Sequence, residues 1–230
     1  MADTEQNQRD DLTLGDRLER LERLEAELIR KGAALVRKDS AIMQSDMFVF
    51  GAVKRTLSQS SGFRTLIKER NFPCAAAILR MQLDTAMRVN ALRIVEDRDR
   101  FCEQILKGTR FNSLKDSAGV KLTDAHLRKK LAEDHPWIGP VYEQSSDFVH
   151  LSGRHFYNSI FKMDEDTRIM TLAISGTDPT NSEEDYFEIV DAFFEATKLA
   201  ATLLLAYFTA RSWEEAAGAN PATPGQSTGC

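Results

Sequence analysis

Cysteine is scarce in this 230-residue chain: Cys74, Cys102 and Cys230 are odd in number, unevenly spaced and never in a CxxC pair. That excludes a disulfide framework and a cysteine zinc site, and it points to a reducing, cytoplasmic compartment. Long apolar runs are missing too. The longest, Leu199–Phe208, falls well short of the roughly 20 residues a membrane span needs, and Lys198 and Arg211 flank it closely. It reads as a buried helix end. The start, MADTEQNQRDD, has no apolar stretch after a basic one, so no secretory signal is expected. There is no basic excess: the net charge of −5 and pI near 5.5 give no global attraction to a phosphate backbone. No Gly-rich phosphate loop occurs, and no cofactor is expected.

What is present is a globular composition, 42% hydrophobic and 28% charged, enough to bury a sizeable core in one domain. Residues 1–11 read as disordered. Residues 12–38 form an amphipathic helix in which Leu14, Leu21, Leu28 and Leu35 recur every seventh position. The companion positions Leu18, Glu25 and Gly32 deteriorate, so the stripe fits a dimerisation helix and a bundle helix equally. Residues 39–217 read as a helical-bundle domain. Its second helix runs from Ser40 to about Ser60, with SQSSG at Ser58–Gly62 as its stop and Phe63–Arg70 as a short helix beyond.

Asn71–Glu96 is the organising stretch: apolar residues nearly encircle this helix, and Pro73 sits in its first turn. A helix apolar all round belongs in a core, so Cys74 reads as a small core residue. Asp97–Lys107 extends or restarts the helix up to Gly108, and Thr109–Leu122 is a polar loop. Thr123 or Asp124 caps a further helix closed by Pro136, and another follows from Trp137 to Leu151. HFYNSIFKM and RIMTLAIS alternate apolar with polar residues across the acidic turn Asp164–Asp166, a β-hairpin near 155–175. An isolated hairpin is marginal in water, so it must pack on the helices or pair with another chain. The last helix spans Glu183 to about Ala217, and residues 218–230 form a disordered tail. Trp137 and Trp213 read as packing anchors. The fold class is mainly α, a helical bundle with a small β-hairpin and a long N-terminal amphipathic helix.

Two clusters could carry chemistry. Arg80, Asp84 and Arg88 stack at i, i+4 and i+8, so the aspartate can meet an arginine on either side. The arrangement is either a plain ion-pair ladder or a cationic pocket that holds two guanidinium groups for a small anion such as phosphate. The second cluster is Glu143, Asp147, His150, Ser152, Arg154 and His155, in which Glu143, Asp147 and His150 share one helical face by spacing. A carboxylate one turn from a histidine can orient its ring for general-base work, and a structural histidine near a helix end is the plainer reading. The catalytic candidates are His150, Arg80 and Asp84; the ligand-binding candidates are Arg80, Asp84, Arg88, Asp147, His150 and Arg154. His126 and His135 read as solvated and lack a third ligand, so no metal is expected.

NFPCAAAILRMQLDTAMR, followed some sixty residues later by YEQSSDFVHLSG, resembles bacterial all-α families of unknown function in the neighbourhood of abortive-infection and HEPN-like proteins. The match covers about Phe72–Arg88 and Tyr142–Gly153, with Asp84 where the pattern carries Glu. The resemblance implies a polar centre of Arg80, Asp84 and His150 and a role in phage defence or stress response. HEPN nucleases place an arginine one to two turns before a histidine, and here Glu143 and Gln144 stand at the arginine's place. Arg128 and His135 fit that spacing formally, with Pro136 at the helix end. The first expectation is therefore a non-catalytic helical-bundle protein, a homodimer, whose Arg–Asp–His site is structural or binds a small anion. The alternatives are a HEPN-like metal-independent ribonuclease toxin acting on RNA, and an oligomeric scaffold that meets a protein partner through the N-terminal helix.

Overall fold

A computed structural model describes residues 12–36, 41–178 and 180–218. Helix α1 (Leu14–Leu35) begins at a reciprocal cap: Asp16 N–H donates to Thr13 Oγ1 at 3.2 Å, and Thr13 N–H donates to the Asp16 carboxylate at 3.0 Å. Its leucine stripe is used within the chain. Leu18, Leu21 and Leu28 are buried, and the helix packs chiefly on the last helix, α8 (Glu183–Gly218). Arg17, also buried, pairs with Asp191 of α8 and stacks on Phe187. The apolar seam read as equally suited to dimerisation thus closes an intramolecular helix pair.

Helix α2 runs without a break over Gln44–Lys68, so the expected stop at Ser58–Gly62 and the separate short helix after it do not form. The small residues there face neighbouring helices. Ser60 is fully buried and donates to Glu25 of α1 at 2.5 Å. A Cβ on Gly62 would lie 3.5 Å from Ile78 of the next helix. Close packing overrides the local turn preference. Beyond it, Phe63 stacks on Phe193 of α8 with ring centres 3.8 Å apart, and at the start of α2 the Tyr207 hydroxyl of α8 donates to Asp46 at 2.7 Å. Both ends of α2 are thereby tied to α8.

Helix α3 (Phe72–Asn90) is the centre of the bundle and continues as a single 3₁₀ turn over Ala91–Arg93. It packs on α2, on α8, and on α5 (Asp124–Ala132) and α6 (Ile138–Ser146). Asn71 caps it by accepting from Cys74 N–H at 3.3 Å. Cys74 is exposed, because the core-facing stripe starts only at Ala75 and Ala76. Helix α4 (Arg98–Leu106) restarts after Asp97, which caps it, and Gly108 closes it with φ +89°.

Helix α6 ends at Ser146, five residues before the expected Leu151. Ser145 and Ser146 donate their hydroxyls to the carbonyls of Val141 and Tyr142 at 2.6 Å each, and Phe148 and Val149 N–H close tighter turns on Ser145 and Ser146. Ser152 then caps a short helix α7 (Gly153–Asn158), so the hairpin begins at Ile160 and not at His155. Strands β1 (Ile160–Asp164) and β2 (Ile169–Leu172) pair antiparallel with a bulge after Ile160. Trp213 is 75% exposed and is no packing anchor among the described residues, whereas Trp137 packs on the core. Among the described residues no helix is long and apolar enough to cross a membrane. The last helix reaches Gly218, where the tail is expected to begin; the expectations for residues 1–11, for residues 37–40 between the first two helices and for residues 219–230 lie outside the described residues.

Candidate functional site

The i, i+4, i+8 spacing on α3 turns Arg80, Asp84 and Arg88 toward α5 and α6, and the three part company there. Arg80 reaches α6. Its guanidinium carbon lies 3.5 Å from the centre of the Tyr142 ring, one terminal N–H donates to the Tyr142 hydroxyl, and Nε donates to Ser146 Oγ at 3.2 Å. Arg128 of α5 lies 5.0 Å from the same ring centre and donates to Glu143 at 2.9 Å. Tyr142 is thus contacted by two guanidinium groups, an arrangement favoured by its electron-rich face.

Asp84 pairs with Arg88 at 2.8 Å, and no ion pair between Asp84 and Arg80 occurs among the described residues. The expected bridge to both arginines is therefore half made, because the aromatic face and two hydroxyl acceptors draw Arg80 to α6. Arg88 also donates to Asp124 at the start of α5, at 3.2 Å, and stacks on Phe111 at 4.7 Å. Burial works against its charge, but the hydrogen bond and charge of Asp84, with Asp124 behind it, raise its pKa above the ordinary value. Arg88 and Arg128 thus pair with Asp84, Asp124 and Glu143 while Arg80 holds Tyr142 and Ser146, and together these contacts clamp α5 and α6 to α3.

His150 does not join them. It lies in the bend after α6 and is exposed, and its backbone carbonyl accepts from the His155 ring at 3.2 Å. The early end of α6 breaks the helical face that would have aligned Glu143, Asp147 and His150. Asp147 pairs loosely with Arg154 at 3.9 Å, both about half exposed. Arg80 meets α6 instead through Tyr142 and Ser146, which belong to neither predicted cluster. Arg154 also borders a cleft of about 340 Å³ between α3, α6 and α8, floored by Phe72, Leu79, Phe148 and Ile189. Arg128 and His135 do not share a helix, since α5 ends at Ala132.

His126 is not solvated. Its ring Nε2 lies 2.8 Å from Asp116, with both side chains nearly covered. Burial raises the Asp116 pKa, but hydrogen bonds from Val120 N–H, the His126 ring and Ala118 N–H together hold it below the ordinary carboxylate value. The pair fastens the loop before α5 to that helix. A visible signal was the Asp116-to-Gly119 turn directly before the Thr123 cap. Nothing in the sequence signalled Tyr142 as the partner of Arg80 beyond its place one turn before Ser146. Compared with models of protein families, with curated proteins and with solved structures, the chain matches none.

Proposed function

We propose that this chain works by association and not by catalysis: a helical scaffold, in the cytoplasm that its unpaired cysteines favour, that joins a second copy of itself through the end formed by α7 and the hairpin. The observation that carries this reading is the distribution of exposed apolar residues. Leu151, Phe156, Tyr157, Phe161, Met163 and Ile174 are each more than half exposed, and all lie within one stretch of the chain. Patches of that kind on a soluble protein mark interaction sites. The Arg80–Asp84–Arg88 ladder then serves as the clamp that holds α6, and through it α7 and the hairpin, on the bundle. The residues that resemble abortive-infection proteins support a role for the assembly in phage defence or stress response.

A small-anion role keeps one support of its own: Arg88 and Arg110 line a surface hollow of about 330 Å³. Calorimetric titration with inorganic phosphate tests it, and heat that Arg110→Ala abolishes is the supporting result. The association reading is tested by sedimentation velocity on the wild type and on Leu172→Ser/Ile174→Ser, at exposed positions of the hairpin. A concentration-dependent dimer in the wild type and a folded monomer in the variant are expected. A wild type that stays monomeric to submillimolar concentration, or that degrades RNA, overturns the reading.

A further inference from the structure

The hairpin is a two-stranded sheet whose strands pair only with each other among the described residues, and its main neighbour besides is the short helix α7. Every residue of β2 is exposed, and in β1 Phe161, Lys162 and Met163 are exposed as well. Two strands alone are marginal in water; three or more with an apolar face are needed for independent stability. Of the two ways to stabilise it, packing on the helices and pairing with another chain, the first is not used to any large extent.

The two free edges differ. The β1 edge is guarded in the ways natural sheets guard themselves, by a bulge after Ile160 and by the charges of Lys162 and Asp164. The β2 edge has no guard. From Ile169 to Ile174 the chain reads IMTLAI, without a charge or a proline. An uncovered edge of that composition would pair indiscriminately.

The direction of its free groups can be read. Ala173 N–H donates to Ser159 O at 2.8 Å, which points it at β1. By the two-residue alternation of a strand, Thr171 and Ile169 also face β1, and the N–H and C=O groups of Met170 and Leu172 face outward.

We propose that β2 pairs antiparallel with β2 of a second copy about a two-fold axis at Thr171, giving a four-stranded sheet in the order β1, β2, partner β2, partner β1. This rests on the association reading above and specifies its surface. The register uses the outward groups: Met170 and Leu172 each exchange N–H···O bonds with the other's counterpart across the axis, four bonds in all. Thr171 faces its own counterpart as a non-hydrogen-bonded pair, and no like charges come opposite one another. In β1, Met163 stands opposite Met170 and Ile160 opposite Leu172. One face of the joined sheet is thus apolar across all four strands. The β2 side chains next to the partner on that face, Met170, Leu172 and Ile174, are 43%, 44% and 83% exposed, so this register covers apolar side chains that otherwise meet water.

The test uses the full chain with Cys74 and Cys230 replaced by serine. Under mild oxidation Thr171→Cys should form a covalent dimer, because a non-hydrogen-bonded pair brings Cα atoms to about 4.5 Å, within disulfide reach. Lys162→Cys, on the far strand, should not. Leu172→Pro removes an outward donor while leaving the pairing with β1 intact, and should raise the dimer dissociation constant at least tenfold with an unchanged far-UV circular dichroism spectrum. If the wild type dimerises but Thr171→Cys does not cross-link, or Leu172→Pro dimerises as tightly as the wild type, this interface is wrong and the association reading survives. A wild type that never dimerises overturns both.

Discussion

Breaking the contact between Arg80 and Tyr142 should cost more than breaking anything at His150, and a double-mutant cycle measures that directly. Arg80→Met keeps the aliphatic stem and removes the guanidinium. It forfeits the stacking on Tyr142, about 0.5–2 kcal/mol, and two hydrogen bonds from a charged donor, to the Tyr142 hydroxyl and to Ser146. Each such bond is worth about 1.5–3 kcal/mol when buried. Since the site is half-buried, solvent recovers much of this, and a loss of about 1.5–2.5 kcal/mol is expected. Tyr142→Leu also loses the contact with Arg128, so its own cost should be about 2–3 kcal/mol. Because both changes remove the same contact, the double variant should be less destabilised than the sum by about 1–1.5 kcal/mol. Urea unfolding with an unchanged slope is the assay. The paired control is Arg80→Met with Asp84→Asn, whose coupling should fall below about 0.3 kcal/mol, and His150→Ala alone should shift stability by less than about 0.5 kcal/mol. A larger coupling of Arg80 to Asp84 than to Tyr142 would refute the clamp as described.

Gly62→Ala should stabilise the protein by about 0.5–1 kcal/mol, the helix-propensity gain at an interior position, since the new methyl meets Ile78 at ordinary contact distance; destabilisation in thermal melts would mean that α2 cannot accept it. The Tyr186 hydroxyl is buried without a hydrogen-bond partner among the described residues, and burial, with the charge of Asp178 added, pushes its pKa up to about 12. The folded state therefore favours the neutral phenol: its contribution is fully present below the unfolded value near 10 and is lost, by up to about 1.4 kcal/mol per pH unit, as the pH climbs toward 12. Tyr186→Phe should be near neutral at pH 7 and should flatten that alkaline loss, and a variant with the same alkaline slope as the wild type would contradict the assignment.

The helices were legible wherever one periodicity covered a whole element. Asn71 and Pro73 marked the start of α3, Thr123 capped α5, and Gly108 closed α4, because caps and breakers act over a turn or two of sequence. Errors arose where a local signal competed with packing. SQSSG reads as a stop when only its own residues are weighed, but Ser60 and Gly62 are small because α1 and α3 approach there. The converse holds at Ser145 and Ser146, inside an apparently continuous helix, where hydroxyls bonded to the preceding turn favour its end.

The same competition explains the fate of the candidate site. Spacing on α3 could state that Arg80, Asp84 and Arg88 share a face, but not which of two partners a guanidinium prefers. Asp84 offers Arg80 one carboxylate four residues away, at a helix-surface value of about 0.3–0.5 kcal/mol. Tyr142 and Ser146 together offer a ring face and two acceptors from another helix, which is worth several times more. Arg80 is thereby a tertiary link instead of a rung, and a shift of α6 would have to break it. The hairpin follows α6 by two elements, while its other end is tied to the bundle where Asp178 N–H donates to Arg70 O at 2.8 Å, so a weakened Arg80–Tyr142 contact should loosen the proposed dimer as well as the fold. Arg80→Met should raise the dimer dissociation constant in sedimentation at temperatures well below its melting point, whereas Arg23→Met, a surface change on α1 outside this link, should leave it unchanged. Equal dimer affinity in both variants would separate the clamp from the interface and leave it a local support of α6.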